Sequence, residues 1–355
     1  MSRRIRFQYH LLRGGAFCAY LRADKSTTPV IRMDDGGEIK TSFAATFAPD
    51  AVDADGNPVP IDWLSDEIQP VMIINGVQHK LGVFSCAKSS DVTRMKSRRV
   101  EIQAYDRGWK VRDTKQAELL YWPSGTPYLT AIGQLINAAG AGAYFATPNA
   151  AVFAEDREDW TPGVSYLEVV NELLQEINYK PLYFNVDGFA VLEPVSMPTA
   201  ADIKHVYDSN DPETLLIRNL IRESDVYSTP NVFIAYCANP DKNGNMTSTA
   251  VNDNPQSPLS VQRRGRQIVE LVQVNNIASQ DALDDYAEWL RDKSMIRGEL
   301  MKFPTGLRPD IGVADAVGLV YDTVADIGIE HAYTMNLEVG GRMEHTVERI
   351  VYNLE

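Results

Sequence analysis

Cysteine is scarce in this chain: Cys18, Cys86 and Cys237 are the only three among 355 residues. An odd number, widely separated and with no C-x-x-C spacing, supports neither a disulfide framework nor a zinc site, so reduced, buried thiols are expected. Long apolar runs are missing as well, and no segment approaches the roughly 20 apolar residues that span a bilayer. Arg3, Arg4 and Arg6 could head a secretion signal, but His10 and Arg13 break up the succeeding residues before an apolar stretch forms. The chain is therefore expected to be made and folded in a cytoplasm. Positive charge is in deficit, with 34 Lys+Arg against 48 Asp+Glu and a net charge of -14. That balance argues against gripping nucleic acid by neutralising phosphates. Histidine is sparse: His10, His79, His205, His331 and His345 are scattered, without an H-E-x-x-H motif or a pair at helical spacing, so structural or surface roles are expected.

The residues that are present make ordinary globular material. Hydrophobic residues make up 44 %, aromatics 9 % and charged residues 23 %, enough to bury a core. The length exceeds one ordinary core and fits two or three domains.

The first 110 residues read as β-rich. Residues 29–33 and 39–47 are strand candidates around Asp34-Asp35-Gly36-Gly37, a sequence suited to a tight turn. Residues 71–84 form the clearest hairpin, because Asn75-Gly76 favours the type I′ turn and both flanks are strand-like. In 97–105, Val100, Ile102 and Ala104 alternate with Arg99, Glu101 and Gln103, as in a half-buried strand. The composition shifts after Asp106. Helices are expected over 128–139, where Leu129, Ile132, Leu135 and Ile136 repeat at helical spacing, and over 164–179, where Leu167, Val170, Leu173, Leu174 and Ile177 form one stripe. Ser165 and Glu168 have capping-box spacing in the second. A hairpin about Asp187-Gly188 should come next. Pro194 and Pro198 mark a boundary, after which strands are expected at 215–223, 231–237, 317–321, 333–339 and 343–351, with an amphipathic helix at 279–296. Its stripe of Ala282, Leu283, Tyr286, Trp289 and Leu290 should cover a sheet. The polar stretch 239–258 reads as a long exposed loop. The fold class is thus α+β, mainly β: an N-terminal β-barrel-like domain at 1–111, a small α/β domain at 112–198, and a second β-barrel-like domain at 199–355.

Constellations that carry chemistry fare poorly. Asp50, Asp53, Asp55-Gly56 and Asp62 faintly suggest a calcium loop, but Ala51 would fall at the first ligand position and Asp62, not a bidentate Glu, at the last. Glu155, Asp156, Glu158 and Asp159 could hold a carboxyl pair of the kind glycoside hydrolysis needs, although clustered acids in a polar loop are more commonly solvated. Gly140-Ala141-Gly142 is not a G-x-G-x-x-G phosphate cradle. No G-x-S-x-G elbow occurs. Asn245-Met246-Thr247 matches a glycosylation acceptor, which without secretion is chance. Arg263, Arg264 and Arg266 are the one compact basic cluster, expected to pair with acidic neighbours. No catalytic, cofactor-binding or metal-ligating residue is assigned, no cofactor is expected, and catalysis has no positive support.

Several segments taken in order resemble the hub proteins of bacteriophage tails. They are Met33-Asp34-Asp35-Gly36-Gly37-Glu38-Ile39-Lys40-Thr41-Ser42, then Ile61-Asp62-Trp63-Leu64-Ser65-Asp66-Glu67-Ile68-Gln69-Pro70, the Asn75-Gly76 hairpin running into Leu81-Gly82-Val83-Phe84, and Arg99-Val100-Glu101-Ile102-Gln103-Ala104-Tyr105-Asp106-Arg107. Residues 231–240, Asn252-Asp253-Asn254-Pro255-Gln256-Ser257-Pro258-Leu259-Ser260, the helix after Ser279 and the strands around Gly340-Gly341-Arg342-Met343 continue the series. The resemblance spans nearly the whole chain and implies a homotrimer in which each subunit contributes two similar barrels, forming a pseudo-sixfold ring that docks on a sixfold tail tube. It also implies a virion tail location, tail-tube or distal-tail rings and tip or fibre proteins as partners, and DNA passing through without specific binding. Family members often carry a C-terminal extension, and with this chain stopping at Glu355 any cell-wall activity is expected in another polypeptide. The acidity suggests a lumen where carboxylates outnumber Lys and Arg. The alternatives are a cell-wall-degrading enzyme using the Glu155–Asp159 loop and a carbohydrate-binding tail protein stacking sugars on exposed aromatics such as Trp160.

Overall fold

The computed structural model describes residues 3–94, 97–196, 198–224, 227–239, 244–274, 277, 279–296 and 299–350. Its N-terminal strands are β1 (Ile5–Arg13), β2 (Ala16–Ala23), β3 (Val30–Asp34), β4 (Thr41–Val52), β5 (Pro58–Val59), β6 (Glu67–Ile74), β7 (Val77–Lys80), β8 (Phe84–Arg94) and β9 (Ser97–Asp106). Six of them close on themselves in the order β4-β2-β1-β6-β8-β9, and β9 returns to pair with β4. Closure removes the sheet edges that would otherwise invite foreign strands. The interior is filled by alternate residues, among them Leu11, Phe43, Phe47, Ile68, Met72 and Phe84, all essentially without solvent contact. In β9, Val100, Ile102 and Ala104 are buried while Arg99, Glu101 and Gln103 are exposed, as the alternation predicts. Asn75 and Gly76 take φ of 51° and 93° between β6 and β7, the two left-handed positions of a type I′ turn.

The middle of the chain supplies α1 (Gly108–Asp113), α2 (Tyr128–Ala138), β10 (Tyr144–Ala146), α3 (Tyr166–Glu176), β11 (Tyr183–Phe184) and β12 (Ala190–Leu192). β12 lies between a parallel β10 and an antiparallel β11. The α3 stripe is buried as a unit: Leu167, Val170, Leu173, Leu174 and Ile177 are each at most 7 % exposed. Burial of such a side chain is worth about 1.5–3 kcal/mol, so this helix is held by its stripe rather than by propensity. The Ser165 hydroxyl accepts from the Glu168 amide and starts it.

Next come β13 (His205–Asp208), β14 (Ile221–Glu223), β15 (Val232–Asn239), β16 (Gly244–Val251), α4 (Val261–Arg264), β17 (Val269–Val274), α5 (Gln280–Ile296), β18 (Leu300–Gly306), β19 (Ala316–Tyr321), β20 (Val324–Asn336) and β21 (Arg342–Arg349). A second barrel-like group, ordered β13-β19-β20-β21-β18-β14, surrounds Tyr207, Met301, Phe303, Leu319, Met343 and Val347. The 13-residue β20 joins the two groups by pairing with β19, β21 and, through Ala332–Asn336, with β3. Both groups share one apolar cluster. The chain between β14 and β18 forms a three-stranded sheet, β16-β15-β17, with α5 on one face. The fold is the mainly β, two-barrel arrangement with a small α/β unit that the sequence implied.

Two expectations are corrected. The stretch 239–258 is not one long loop: Gly244–Val251 is a strand paired along its length with β15, while 240–243 lie outside the described residues. Met246 and Ala250 face α5, and Thr247 and Thr249 face solvent. The short polar side chains disguised a half-buried strand whose threonines favour extended backbone. The strand expected over 215–223 is reduced to Ile221–Glu223, because a 3-10 turn at Pro212–Thr214 leaves Leu215 left-handed at φ 64°. The stripe of α5 does cover a sheet: Leu283, Tyr286 and Ala287 are buried, with Ala282, Trp289 and Leu290 packed beside them.

Candidate interaction surfaces

Several of the residues that could have carried chemistry hold structural contacts. In the acidic loop, Asp156 accepts from the Ser124 amide at 2.8 Å and the Tyr121 hydroxyl at 2.9 Å, which hold its pKa below the usual carboxylate range. Arg157 is 4 % exposed and clamps Glu176 through two nitrogens at 2.7 and 2.9 Å while also pairing with Asp159. Glu176 accepts a further bond from Tyr128 Oη. Glu155 and Glu158 point to solvent. The loop is thus a staple over the α/β core, with Asp156 and Asp159 engaged by their neighbours. Trp160, the aromatic proposed for sugar stacking, is 5 % exposed and donates Nε1 to Glu172. That expectation fails because Arg157 and Trp122 pack against its ring.

The calcium-like segment is a turn in which Asp53 Oδ1 accepts from the amides of Asp55 and Asn57, and Asp62 caps Leu64 and Ser65. Among the described residues no group of His, Cys, Asp and Glu could hold a metal ion. Gly140, at φ 66°, follows α2 as a helix stop. In the basic cluster, Arg264 donates to the Thr229 carbonyl at 2.6 Å and Arg266 to the Tyr227 carbonyl at 3.5 Å. Cys237 is buried, while Cys18 and Cys86 are half-buried. His345 is fully buried, Nδ1 2.9 Å from Glu330 and Nε2 2.8 Å from Thr305. Burial drives the Glu330 pKa up against the pull of His345. His205 faces Asp310 at 3.0 Å. Burial opposes ionisation of Asp310, but hydrogen bonds from His205 and Arg308 prevail and hold it well below the carboxylate range.

An ionic clasp joins the first barrel to the α/β unit. Glu67, on β6, is buried and receives Arg107 Nε at 2.9 Å, Arg107 Nη2 at 2.7 Å and Lys110 Nζ at 2.7 Å. Burial would raise its pKa, yet these two cations hold it low. Nearby Asp106 accepts from the Thr41 and Gly108 amides, and its burial pushes it up to about 6.

Exposed large apolar side chains lie at strand edges and turn tips. Leu64 is 98 % exposed, Val339 78 %, Tyr227 78 % and Val77, at the tip of the β6–β7 hairpin, 59 %. β17 is an edge strand whose outward Val269 and Leu271 are 52 % and 62 % exposed. Leu271 lies opposite Ile234, which lies opposite Thr249 on its other side. Sequence alone missed this face because alternation in a strand with valine on both sides does not say which side is covered.

The sequence matches no protein-family model and no curated protein. Solved structures do match along nearly the full length. The 43 kDa tail protein of prophage MuSo2 from Shewanella oneidensis superposes with a TM-score of 0.64 at 10 % identity, covering 98 % of this chain and 99 % of that one. The chain has a phage tail hub-like fold. A tail protein from Neisseria meningitidis MC58 gives 0.64 at 13 % identity over 96 % of each chain. The Escherichia coli c3393 protein, a type VI secretion component with similarity to the T4 tail proteins gp27 and gp5, gives 0.51 at 8 % identity over 99 % of this chain and 77 % of its own. Among the described residues no helix is long and apolar enough to cross a membrane.

Proposed function

We propose that this chain is a non-enzymatic structural hub at the distal end of a phage tail tube, assembled in the host cytoplasm and carried in the virion. Three copies surround a channel, their six barrels meeting a sixfold tube on one side and threefold tip or fibre proteins on the other, while DNA passes without specific binding. Segments 1–111 and 199–355 supply the two barrel-like domains of each subunit, and 112–198 the α/β domain between them. The observation that carries this reading is likeness at full length: the tail proteins from Shewanella and Neisseria are covered over 99 % and 96 % of their own chains, so the likeness is not to one borrowed module. Burial of Trp160 and pairing of Asp159 with Arg157 weigh against the sugar-binding and enzymatic alternatives.

In such a ring the wall should carry more carboxylates than Lys and Arg, consistent with the net charge of -14. Screening over about 8 Å confines the resulting repulsion of phosphate to close approach. Native mass spectrometry at micromolar concentration, followed by electron microscopy of the chain mixed with tail tubes, tests the proposal. A species of three times 39.6 kDa, or a threefold ring capping the tube, is expected. A solitary particle that never caps a tube would overturn it, and a basic lumen would overturn the electrostatic part.

A further inference from the structure

A cleft of about 910 Å³ lies between α3 and α5, within the size range of ligand sites. Its base is tied by two hydrogen bonds, Gln175 Nε2 to Tyr286 Oη at 2.9 Å and Asn178 Nδ2 to the Ala282 carbonyl at 3.0 Å. Its chemistry is one-sided. Glu38, Glu168, Glu172 and Asp285 line it, and no Lys, Arg or His does. Among the described residues Glu168 and Asp285 have no ion-pair partner and are exposed. Asn178 Oδ1, buried in the lining, likewise receives no hydrogen bond there. The charged groups left unpaired in the cleft, Glu168 and Asp285, are therefore both acceptors.

The aromatic wall narrows the choice further. Trp289 stacks on Tyr286 with ring centroids 5.7 Å apart, and Lys293 Nζ stands 4.8 Å from the Trp289 centroid. The indole thus already receives a cation from the adjoining hollow, where Lys293 lies. We propose that this cleft binds a basic peptide segment of a partner protein, holding an arginine side chain between Glu168 and Asp285 and against Trp289. A guanidinium brings five donors in a planar fork, fits carboxylates and stacks on aromatic rings, whereas an anionic ligand would meet the unpaired carboxylates of Glu168 and Asp285.

Anisotropy titration of the full chain with fluorescein-labelled Gly-Arg-Gly-Arg-Gly, and with the same peptide carrying citrulline for arginine, separates charge recognition from shape. Saturable binding, weakened at least about tenfold by citrulline, is expected, corresponding to about 1.4 kcal/mol. The E168Q/D285N double variant should lose about tenfold. E155Q/E158Q removes the same formal charge from exposed positions outside the cleft and should stay within about twofold, since only diffuse attraction is altered. Both pairs are surface substitutions that leave the fold intact, checked by circular dichroism. Equal binding of the citrulline peptide, equal losses in the two double variants, or no saturable binding overturns the proposal. Because the titration uses the isolated chain, its result is independent of ring formation on a tail tube.

Discussion

Arg107 Nη1 donates at 2.9 Å to the carbonyl of Gly188, so a side chain that follows β9 grips the hairpin of the α/β unit while its other two nitrogens hold Glu67. Gly188 has φ 80°, and a Cβ there would meet the Val83 Cβ at 2.8 Å. The close approach and the hydrogen bond therefore require the same backbone. Arg107→Ala should cost about 3–5 kcal/mol, because it leaves a buried Glu67 with Lys110 alone. Gly188→Ala should cost at least about 1 kcal/mol from the left-handed backbone and the clash together. Urea unfolding of each variant checks both. A midpoint unchanged in Arg107→Ala would mean that the clasp contributes nothing to docking the two units.

This clasp also marks the limit of what the sequence reveals. Local chemistry was legible: the Asn75-Gly76 turn, the Ser165 cap and the stripe of α3 each depend on residues close in the chain, and each stands where spacing placed it. Pairings between distant segments were not. Ala332–Asn336 pairs with β3 from the opposite end of the chain, and no local pattern encodes that register. Gly244–Val251 was hidden by composition, since Asn, Thr and Ser signal turns unless a neighbour such as β15 supplies the ladder. The Arg157–Glu176 pair was illegible for a related reason: the acids of that loop were visible, but their buried counter-charge depends on the fold.

Asp106 makes stability pH-dependent. Its folded pKa is raised from 3.8 to about 6 by burial, so the ionised form is penalised in the folded state. Its contribution is fully present below pH 3.8 and is lost as pH rises through about 6, by up to about 3 kcal/mol. Asp106→Asn should flatten the difference between unfolding free energies measured near pH 4 and pH 7. It should also lower stability at pH 4, because the amide can accept from only one of Thr41 and Gly108. Parallel profiles for the two proteins would show that Asp106 does not titrate in this window.

The α/β core rests on a second ion pair with both partners hidden, Arg157 at 4 % and Glu176 at 5 % side-chain exposure. Glu176→Gln should destabilise by about 3–5 kcal/mol, since Arg157 would keep only the more exposed Asp159 as counter-charge. Glu158→Gln, next in the chain to that arginine but solvent-facing, should stay within about 0.5 kcal/mol. Thermal unfolding of both variants distinguishes a staple from a solvated acidic loop: comparable melting temperatures would remove the structural role assigned to the pair.

Folding and assembly separate at β17. Val269 and Leu271 face outward from an edge strand, and Leu271 buries too little surface for its loss to unfold the chain. Leu271→Glu should therefore change unfolding free energy by no more than about 0.5 kcal/mol. If this face meets another subunit or a tail protein, the carboxylate is driven into an apolar contact without a partner and association should weaken by at least about 2 kcal/mol, roughly thirtyfold. Sedimentation of the variant alone and mixed with tail tubes reads the second effect without the first. Wild-type assembly in a protein of wild-type stability would assign the exposed β17 face to solvent and shift the search for contacts to Leu64, Val77 and Val339.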